Sequence, residues 1–210
     1  MEHNLLNPEF LKIICPDGKT ATGGSQKWYP VRWERAAGCG PTAASNIIWY
    51  MARSQPELHD LCDIGDGDHA RFLALMREVF SCFDPGFRGI NSSTLFVNGV
   101  KRYASARGVD MTPHVLEIPA SRRKRPGIGA VGDFVTGAIQ SDAPVAFLCL
   151  SRGKPSALES WHWVTIMSYN KDMASASVAN YSAEYEVSIA EWRETSVLGG
   201  CFVYFSRTQY

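Results

Sequence analysis

The spacing of apolar residues predicts helices in the earlier part of the chain and strands in the later part. Between residues 69 and 83, for example, Phe72, Leu75, Met76 and Val79 recur at helical intervals and share one face. The same reasoning predicts helices over 42–52, 69–83, about 92–107 and 131–141, and one or two helical turns over 188–195. Apolar runs predict strands over 10–14, 112–118, 144–150, 161–169, 174–181 and 200–206, and a stretch rich in Gly, Ser and Arg predicts a loop over 22–38.

This order of elements predicts the α+β class, because helices come first and antiparallel strands come last. A chain of 210 residues is expected to form a single domain, 1–210. We expect its helical part, about 35–142, to pack on its sheet part, about 143–210.

The charge balance excludes some classes of partner. Lys+Arg and Asp+Glu both count 21, so the formal net charge is zero. Proteins that bind nucleic acids or anionic membranes usually carry a basic excess, so we predict neither partner. The basic run at 121–125 ends in Pro126-Gly127 and is predicted to be a solvated loop. No apolar run reaches the ~18 residues of a membrane span, and the sequence makes no prediction about oligomeric state.

The N-terminus and the cysteines bear on the compartment. Residues 1–4 lack the basic and apolar regions of a secretory signal, so we expect a cytoplasmic protein, or a secreted one whose leader was removed. Cys149 and Cys201 lie in apolar runs and are predicted to be small buried hydrophobes. The six cysteines form no C-x-x-C pair. Their even number leaves disulfides open for an exported protein, but a reducing compartment is the favoured expectation.

No cofactor and no metal site are predicted. The cysteines and histidines do not have zinc-site spacing. The acidic loop 63–68 lacks the alternating ligands and the late Glu of an EF-hand. A solvated turn is the favoured interpretation of this loop, with a weak Ca²⁺ site as the alternative.

Cys39 has surroundings that suit a nucleophile. It lies between Gly38 and Gly40, where a loop is predicted to become a helix with Pro41 in its first turn. The positive end of the helix dipole and the unpaired amides there stabilise a thiolate, which is the form that attacks a carbonyl carbon. The glycines are predicted to allow a sharp entry turn and close approach of a substrate, and the Cys39 amide to donate to an oxyanion. A buried structural cysteine is the alternative.

His162 is the candidate base, and Asn180 is the candidate residue that orients it. His162 begins a predicted apolar strand, where a lone histidine is also compatible with a satisfied core residue. Asn180 ends the next predicted strand, across a turn around 170–172. Antiparallel pairing would bring its amide oxygen to one ring nitrogen and leave the other for the thiol. Asp172, in the turn itself, is a weaker candidate for the same role.

Two tryptophans bracket the candidate base. Trp161 and Trp163 are predicted to face away from His162 and to pack on the other side of the sheet, unless one of them walls a substrate groove. The remaining histidines have no following polar residue on a partner strand, and His3 is expected to lie in a frayed terminus. His162 is therefore preferred as the base.

These motifs resemble the C39-like group of papain-fold cysteine peptidases, in particular uncharacterised bacterial members. The resemblance covers the first 50 and the last 50 residues, and the stretch from about 55 to 145 matches no motif of the group. The matching motifs are Gln26-Lys27-Trp28-Tyr29, Gly38-Cys39-Gly40-Pro41-Thr42-Ala43-Ala44-Ser45-Asn46, Trp161-His162-Trp163-Val164-Thr165-Ile166, Asn180, Glu191-Trp192 and Gly199-Gly200-Cys201-Phe202-Val203-Tyr204-Phe205.

The resemblance implies a papain-like fold, with the site at the junction of the helical part and the sheet part, and a triad of Cys39, His162 and Asn180. It also implies an oxyanion hole completed by a glutamine upstream of the cysteine, for which Gln26 is the candidate. Gln26 stands 13 residues before Cys39, whereas the family's shorter spacing falls on Trp33, so residues 27–37 would have to loop out.

The function expected from these residues is that of a cysteine hydrolase, most simply a peptidase, acting on a peptide or protein substrate through a thioester acyl-enzyme. An amidase or acyltransferase would use the same triad. The alternative class is an inactive papain-fold domain that serves as a binding or effector module.

Overall fold

A mixed arrangement of helices around one antiparallel sheet forms the fold, as seen in a computed structural model that describes residues 1–65 and 68–208. The helices are α1 (Arg32–Ala37), α2 (Cys39–Ser54), α3 (His69–Ser81), α4 (Ser93–Ala106), α5 (Ile128–Gln140) and α6 (Ile189–Thr195). The strands are β1 (Glu2–Asn4), β2 (Lys12–Ile14), β3 (Thr20–Thr22), β4 (Met111–Ile118), β5 (Val145–Cys149), β6 (His162–Asn170), β7 (Ser175–Asn180), β8 (Ala183–Ser188) and β9 (Gly200–Arg207). The chain is therefore of the α+β class, as predicted.

The sheet has the strand order β4-β9-β5-β6-β7-β8, and β1 adds to β6. All of these pairs are antiparallel. β5 pairs with the first half of β6, at 162–166, and β1 pairs with its last residues, at 168–170. A separate two-stranded sheet joins β2 and β3. Strands β6 and β7, which carry the candidate base and its orienter, are thus direct neighbours in the sheet.

Helices cover both faces of the sheet. One core cluster joins α2, α3 and α4 to Trp163, Met167 and Val203 of the sheet. The other joins α5 and α6 to residues such as Val164 and Phe202. Helix α2 is buried from Cys39 through Ala52, which explains why its sequence is apolar on all sides instead of showing one polar stripe. Its first turn is thereby fixed against the sheet.

Several elements were not predicted from the sequence. The expected loop 22–38 contains α1, which is held by the Arg35 guanidinium as it donates to the carbonyls of Tyr29 and Pro30. Strand β8 has exposed glutamates on an edge, so it lacks an apolar run. The expected frayed terminus forms β1 instead, with His3 opposite Tyr169.

The division between helical and sheet parts near residue 142 is not strict. Strand β4 lies within the predicted helical part of the chain, and it pairs along its whole length with β9. Helix α6 lies between β8 and β9 in the chain, and it packs on the face of the sheet that α5 also covers. Within the described residues, no helix combines the length and apolar character needed to cross a bilayer.

The prediction of a solvated loop at 121–125 is wrong for its last residue. Arg122, Arg123 and Lys124 are exposed, but only 6% of Arg125 is accessible. Its guanidinium donates to four backbone carbonyls, those of Pro119, Ala120, Arg193 and Ser196. Arg125 therefore ties the chain after β4 to α6 and the residues that follow it. Charge alone does not reveal this, because a run of basic residues looks alike whether or not one of them finds buried acceptors.

Candidate active site

Cys39 is the first residue of α2, and its sulfur faces the start of β6. The sulfur lies 3.9 Å from the carbonyl oxygen of Trp161. As the first helical residue, Cys39 contributes one of the amides that a helix leaves without an intrahelical acceptor. The backbone amides of Trp163 and Gly40 both act to lower the pKa of the thiol. The thiol is therefore placed where several donors stabilise negative charge.

The glycines beside Cys39 have a different purpose from the predicted one. Gly38 has helical dihedrals, with φ −88° and ψ 0°, so it does not supply an unusual turn. A Cβ on Gly38 would lie 2.4 Å from the carbonyl oxygen of Glu34 and 2.5 Å from the ring of Tyr29. A Cβ on Gly40 would lie 2.9 Å from Ile90. Both glycines permit close packing of the chain around the start of α2.

His162 and Asn180 meet across the β6–β7 pair. The Nε2 atom of His162 lies 2.8 Å from Oδ1 of Asn180, and both side chains are buried. Because the amide oxygen only accepts, Nε2 carries the proton and Nδ1 is left for the thiol. The Asn180 amide nitrogen donates to the carbonyl of Ala157 at 3.4 Å, which holds the oxygen toward the ring.

The imidazole and the thiol stabilise each other's charged forms. Burial alone would raise the pKa of Cys39, but the hydrogen bond and charge of His162 outweigh it and hold this pKa below its usual value of 9.0. Burial would lower the pKa of His162, but the hydrogen bond and charge of Cys39, with help from Asn180 and Glu159, raise this pKa above 6.5. A thiolate–imidazolium pair is the state that both shifts favour.

Four of the other cysteines differ from Cys39 in the direction in which their pKa is shifted. All six thiols are free. Burial raises the pKa of Cys62 and of Cys149 to about 12, and it also raises the pKa of Cys15 and of Cys201. Cys149 and Cys201 are fully buried, as predicted. Cys39 therefore stands apart from these four thiols by the direction of its pKa shift.

The other candidates for the base, and for the residue that orients it, contact groups other than Cys39. Asp172 is exposed in the turn after β6, where it pairs with the N-terminal amino group. His114 stacks on Tyr204 and contacts Ser206 in the sheet. His59 is exposed beside Asp60. These side chains make their contacts with groups other than Cys39, so His162 and Asn180 are the residues that the fold places with the thiol.

Gln26 lines the same pocket as Cys39 and His162. Residues 27–37 loop out between Gln26 and Cys39, and they hold α1. The Gln26 amide nitrogen donates to the carbonyl of Arg35 at 2.8 Å, which uses one of its two N–H bonds. Within the part of the chain that the structure describes, the amide oxygen is buried and has no hydrogen-bond partner.

An aromatic residue beside the base was not predicted from the sequence. The ring of Tyr181 stacks on His162, with the centroids 5.0 Å apart and the planes at 20°. Its hydroxyl donates to Glu159 at 2.9 Å, and the ammonium of Lys27 lies 4.7 Å from its ring centroid. Because Tyr181 directly follows Asn180, the sequence could have indicated that it lies near the site. Its left-handed backbone conformation, with φ 48°, could not be predicted from the sequence.

Asn46, which also lines the pocket, was not predicted from the sequence as a site residue. Asn46 accepts from the amide of Gly24 at 2.8 Å and donates to Thr165 Oγ1 at 3.0 Å, and all three residues line the pocket. Asn46 lies two helical turns after Cys39, so it shares the face of α2 that carries the thiol. The pocket volume is ≈ 10 Å³, which is room for about one water molecule.

The tryptophans on either side of His162 have different surroundings. Trp163 is buried, stacks on Phe96 at 4.1 Å and donates to the carbonyl of Ile90, so it packs against helix α4. Trp161 is half-buried, and the guanidinium of Arg88 lies 4.6 Å from its ring centroid. Trp161 thus stands at the rim of the site.

Within residues 1–65 and 68–208, no cluster of three His, Cys, Asp or Glu side chains could hold a metal ion. The acidic loop 63–68 lies partly outside the described residues. Its described part includes Asp63, which pairs with Arg71, and Asp68, which caps α3.

Neither a scan of this chain against protein-family models nor a search of curated proteins finds a match.

Proposed function

We propose that this protein is a papain-like cysteine hydrolase that cleaves a peptide or other amide bond, with Cys39 as nucleophile. The supporting observation is that Cys39, His162 and Asn180 line one pocket, where His162 is hydrogen-bonded to Asn180, the pKa of the thiol is lowered and that of the imidazole is raised. A papain-like fold is part of the proposal. It is supported by a buried helix that begins at the cysteine and packs on an antiparallel sheet that carries the histidine and asparagine.

The proposed reaction has two halves. The Cys39 thiolate attacks the amide carbonyl carbon, and the His162 imidazolium gives its Nδ1 proton to the leaving amine as the C–N bond breaks. A thioester remains on Cys39. His162, now neutral, takes a proton from water, and the resulting hydroxide attacks the thioester, so that the acid is released and the thiolate is restored. Asn180 keeps the ring in one orientation through both halves.

Two groups are proposed to stabilise the oxyanion. The first is the Cys39 amide at the start of α2, and the second is the Gln26 amide in the same pocket. A pocket with room for about one water molecule suits a single carbonyl oxygen better than a side chain. The bulk of a substrate would therefore lie outside it, along the rim.

Competitive labelling tests the proposal. The protein is treated with a limiting amount of iodoacetamide near neutral pH, and each of the six cysteines is quantified by peptide mass spectrometry. We expect Cys39 to be labelled first although it is only 7% exposed, ahead of the half-buried Cys15 and Cys82. Labelling that follows exposure instead would favour an inactive binding domain. Hydrolysis and acyl transfer are then separated by product analysis with water or an added amine as acceptor.

Gln26→Ala gives a prediction that is specific to the oxyanion. We expect turnover of p-nitrophenyl acetate to fall by about 10²- to 10³-fold, because one donor to the tetrahedral intermediate is lost. Alkylation of Cys39 by iodoacetamide forms no oxyanion, so its rate should change less than about threefold. The measurement is the pair of rates on the same preparation. Equal losses in both would show that Gln26 supports the thiol and not the intermediate.

A further inference from the structure

A second cavity lies beside the candidate active site. Its volume is ≈ 420 Å³, and it is open to solvent. This is within the range of about 300–1,000 Å³ that is usual for small-molecule sites. The catalytic pocket is too small for a substrate side chain, so a neighbouring cavity of this size is the natural place for one.

Two stretches of chain join the cavity to the catalytic pocket. Gln26 lines the catalytic pocket and Trp28 lines the cavity, and both belong to the 3-10 turn Gln26–Trp28. Tyr181 lines the pocket and Ser182, the next residue, lines the cavity. Adjacent Cα atoms are about 3.8 Å apart, so the cavity begins within one or two residues of the catalytic pocket along both routes.

Lys27 and Tyr181, which are in contact with each other, lie between residues that line the two spaces, and we call them the Lys27–Tyr181 ridge. Lys27 lies between Gln26 and Trp28, and its ammonium is seated over the ring of Tyr181. Because Tyr181 also stacks on His162, this ridge is in contact with the candidate base. A substrate held at Cys39 would cross the Lys27–Tyr181 ridge to reach the cavity.

The cavity lining is mainly aromatic and apolar. Trp28 packs edge-on against His69, with ring centroids 4.4 Å apart, and Ala21 and Cys15 add apolar surface. Polar groups such as Lys19 and Asp17 also line it, but they pair with each other. The surface left for a ligand is therefore the indole and its apolar neighbours, which suits an aromatic or large aliphatic group.

We infer that this cavity, which we call the Trp28 pocket, binds an apolar side chain of the substrate next to the scissile bond, with preference for an aromatic one. The inference rests on the proposed function, because it needs Cys39 to be the reacting group. It assigns the substrate class as an amide or peptide with an aromatic or large aliphatic residue beside the bond that is cleaved.

Three alkylating reagents test the inference: iodoacetamide, N-(2-phenylethyl)iodoacetamide and the polar N-(2-hydroxyethyl)iodoacetamide. The rate of Cys39 alkylation is measured for each by site-resolved mass spectrometry and divided by the rate with free glutathione. We expect the phenylethyl reagent to be favoured over iodoacetamide by about 10-fold or more, because its ring is removed from water in the Trp28 pocket. The hydroxyethyl reagent should show no such preference.

Variants connect the preference to the pocket. Trp28→Ala should bring the ratio of the two rates close to one. Thr20→Trp, at an exposed position of β3 that lines the pocket, should do the same by filling it, and this variant leaves the core intact if Trp28→Ala does not fold. Trp33→Ala is the matched control, since it removes a 48% exposed indole from α1, away from the pocket, and the ratio should be retained.

The outcomes separate the two proposals. A wild-type ratio near one, or a ratio that both Trp28→Ala and Thr20→Trp leave unchanged, overturns the Trp28 pocket while iodoacetamide still labels Cys39 first. If no reagent labels Cys39 ahead of the other cysteines, the proposed function fails and the Trp28 pocket fails with it. A preference that is lost in both pocket variants and kept in Trp33→Ala supports the inference.

Discussion

Replacement of His162 by alanine is expected to slow alkylation of Cys39 by iodoacetamide at pH 6 by about 10²- to 10⁴-fold, because the thiolate fraction falls about tenfold for each unit by which the pKa of the thiol rises. The physical reason is the loss of the imidazolium that outweighs burial of the sulfur. Without it, burial is the dominant remaining influence and the pKa of Cys39 rises above its usual value of 9.0. The measurement is the second-order rate constant from pH 5 to 10.

The sign of the pH dependence follows from the two shifts. In the wild type, the thiolate persists below pH 9 because the pKa of Cys39 is lowered, and the imidazolium persists above pH 6.5 because the pKa of His162 is raised. The variant should lose reactivity most strongly at the acidic end and recover it as the pH rises. His114→Ala, which removes an imidazole that contacts Tyr204 and Ser206, is the control and should leave the profile unchanged. An unaltered profile in His162→Ala would contradict the ion pair.

Arg125→Met is expected to lower the free energy of unfolding by about 3 to 5 kcal/mol, because several buried carbonyls lose their hydrogen-bond donor at a cost of about 1 to 3 kcal/mol each. Methionine keeps an unbranched apolar stem but has no donor, so the four carbonyls that Arg125 now satisfies would lose their partner. In a chain of this size, such a loss lowers Tm by roughly 6 to 20 °C. Urea unfolding followed by circular dichroism gives the free energy directly.

The matched control lies two residues earlier in the same basic run. Arg123 is exposed, so Arg123→Met should change the free energy of unfolding by less than about 0.5 kcal/mol. Equal effects of the two substitutions would show that the run acts through its total charge and not through the contacts of Arg125. The same pair of variants also tests whether buried carbonyl acceptors distinguish Arg125 from its solvated neighbours.

The sequence was most informative where a short motif and a regular element coincide. Cys39 could be placed at a helix start because glycines and a proline surround it, and the helix is observed from that residue onward. His162 and Asn180 could be paired because two predicted strands follow each other across a short turn, and they are neighbours in the sheet. These predictions needed only local pattern and the preference for sequential antiparallel pairing.

Contacts between residues far apart in the chain could not be predicted from local sequence patterns. The return of Gln26 to the pocket depends on how residues 27–37 fold back, which is determined by Arg35 and its carbonyl acceptors. The stacking of Tyr181 on His162 depends on a left-handed residue in the tight link between β7 and β8. Gly38 is needed because Tyr29 packs against it, and Gly40 is needed because Ile90 packs against it. Neither contact can be predicted from the G-C-G motif itself.

The state of the Cys39–His162 pair is the claim on which the proposed chemistry depends, and thiolate absorbance measures it most directly. The ultraviolet difference between the wild type and Cys39→Ser, recorded as a function of pH, isolates the ionisation of this one sulfur. We predict that the thiolate signal is already present well below pH 9 and is lost when His162 is replaced by alanine. A signal that appears only above pH 9 in the wild type, or that does not depend on His162, would contradict the account.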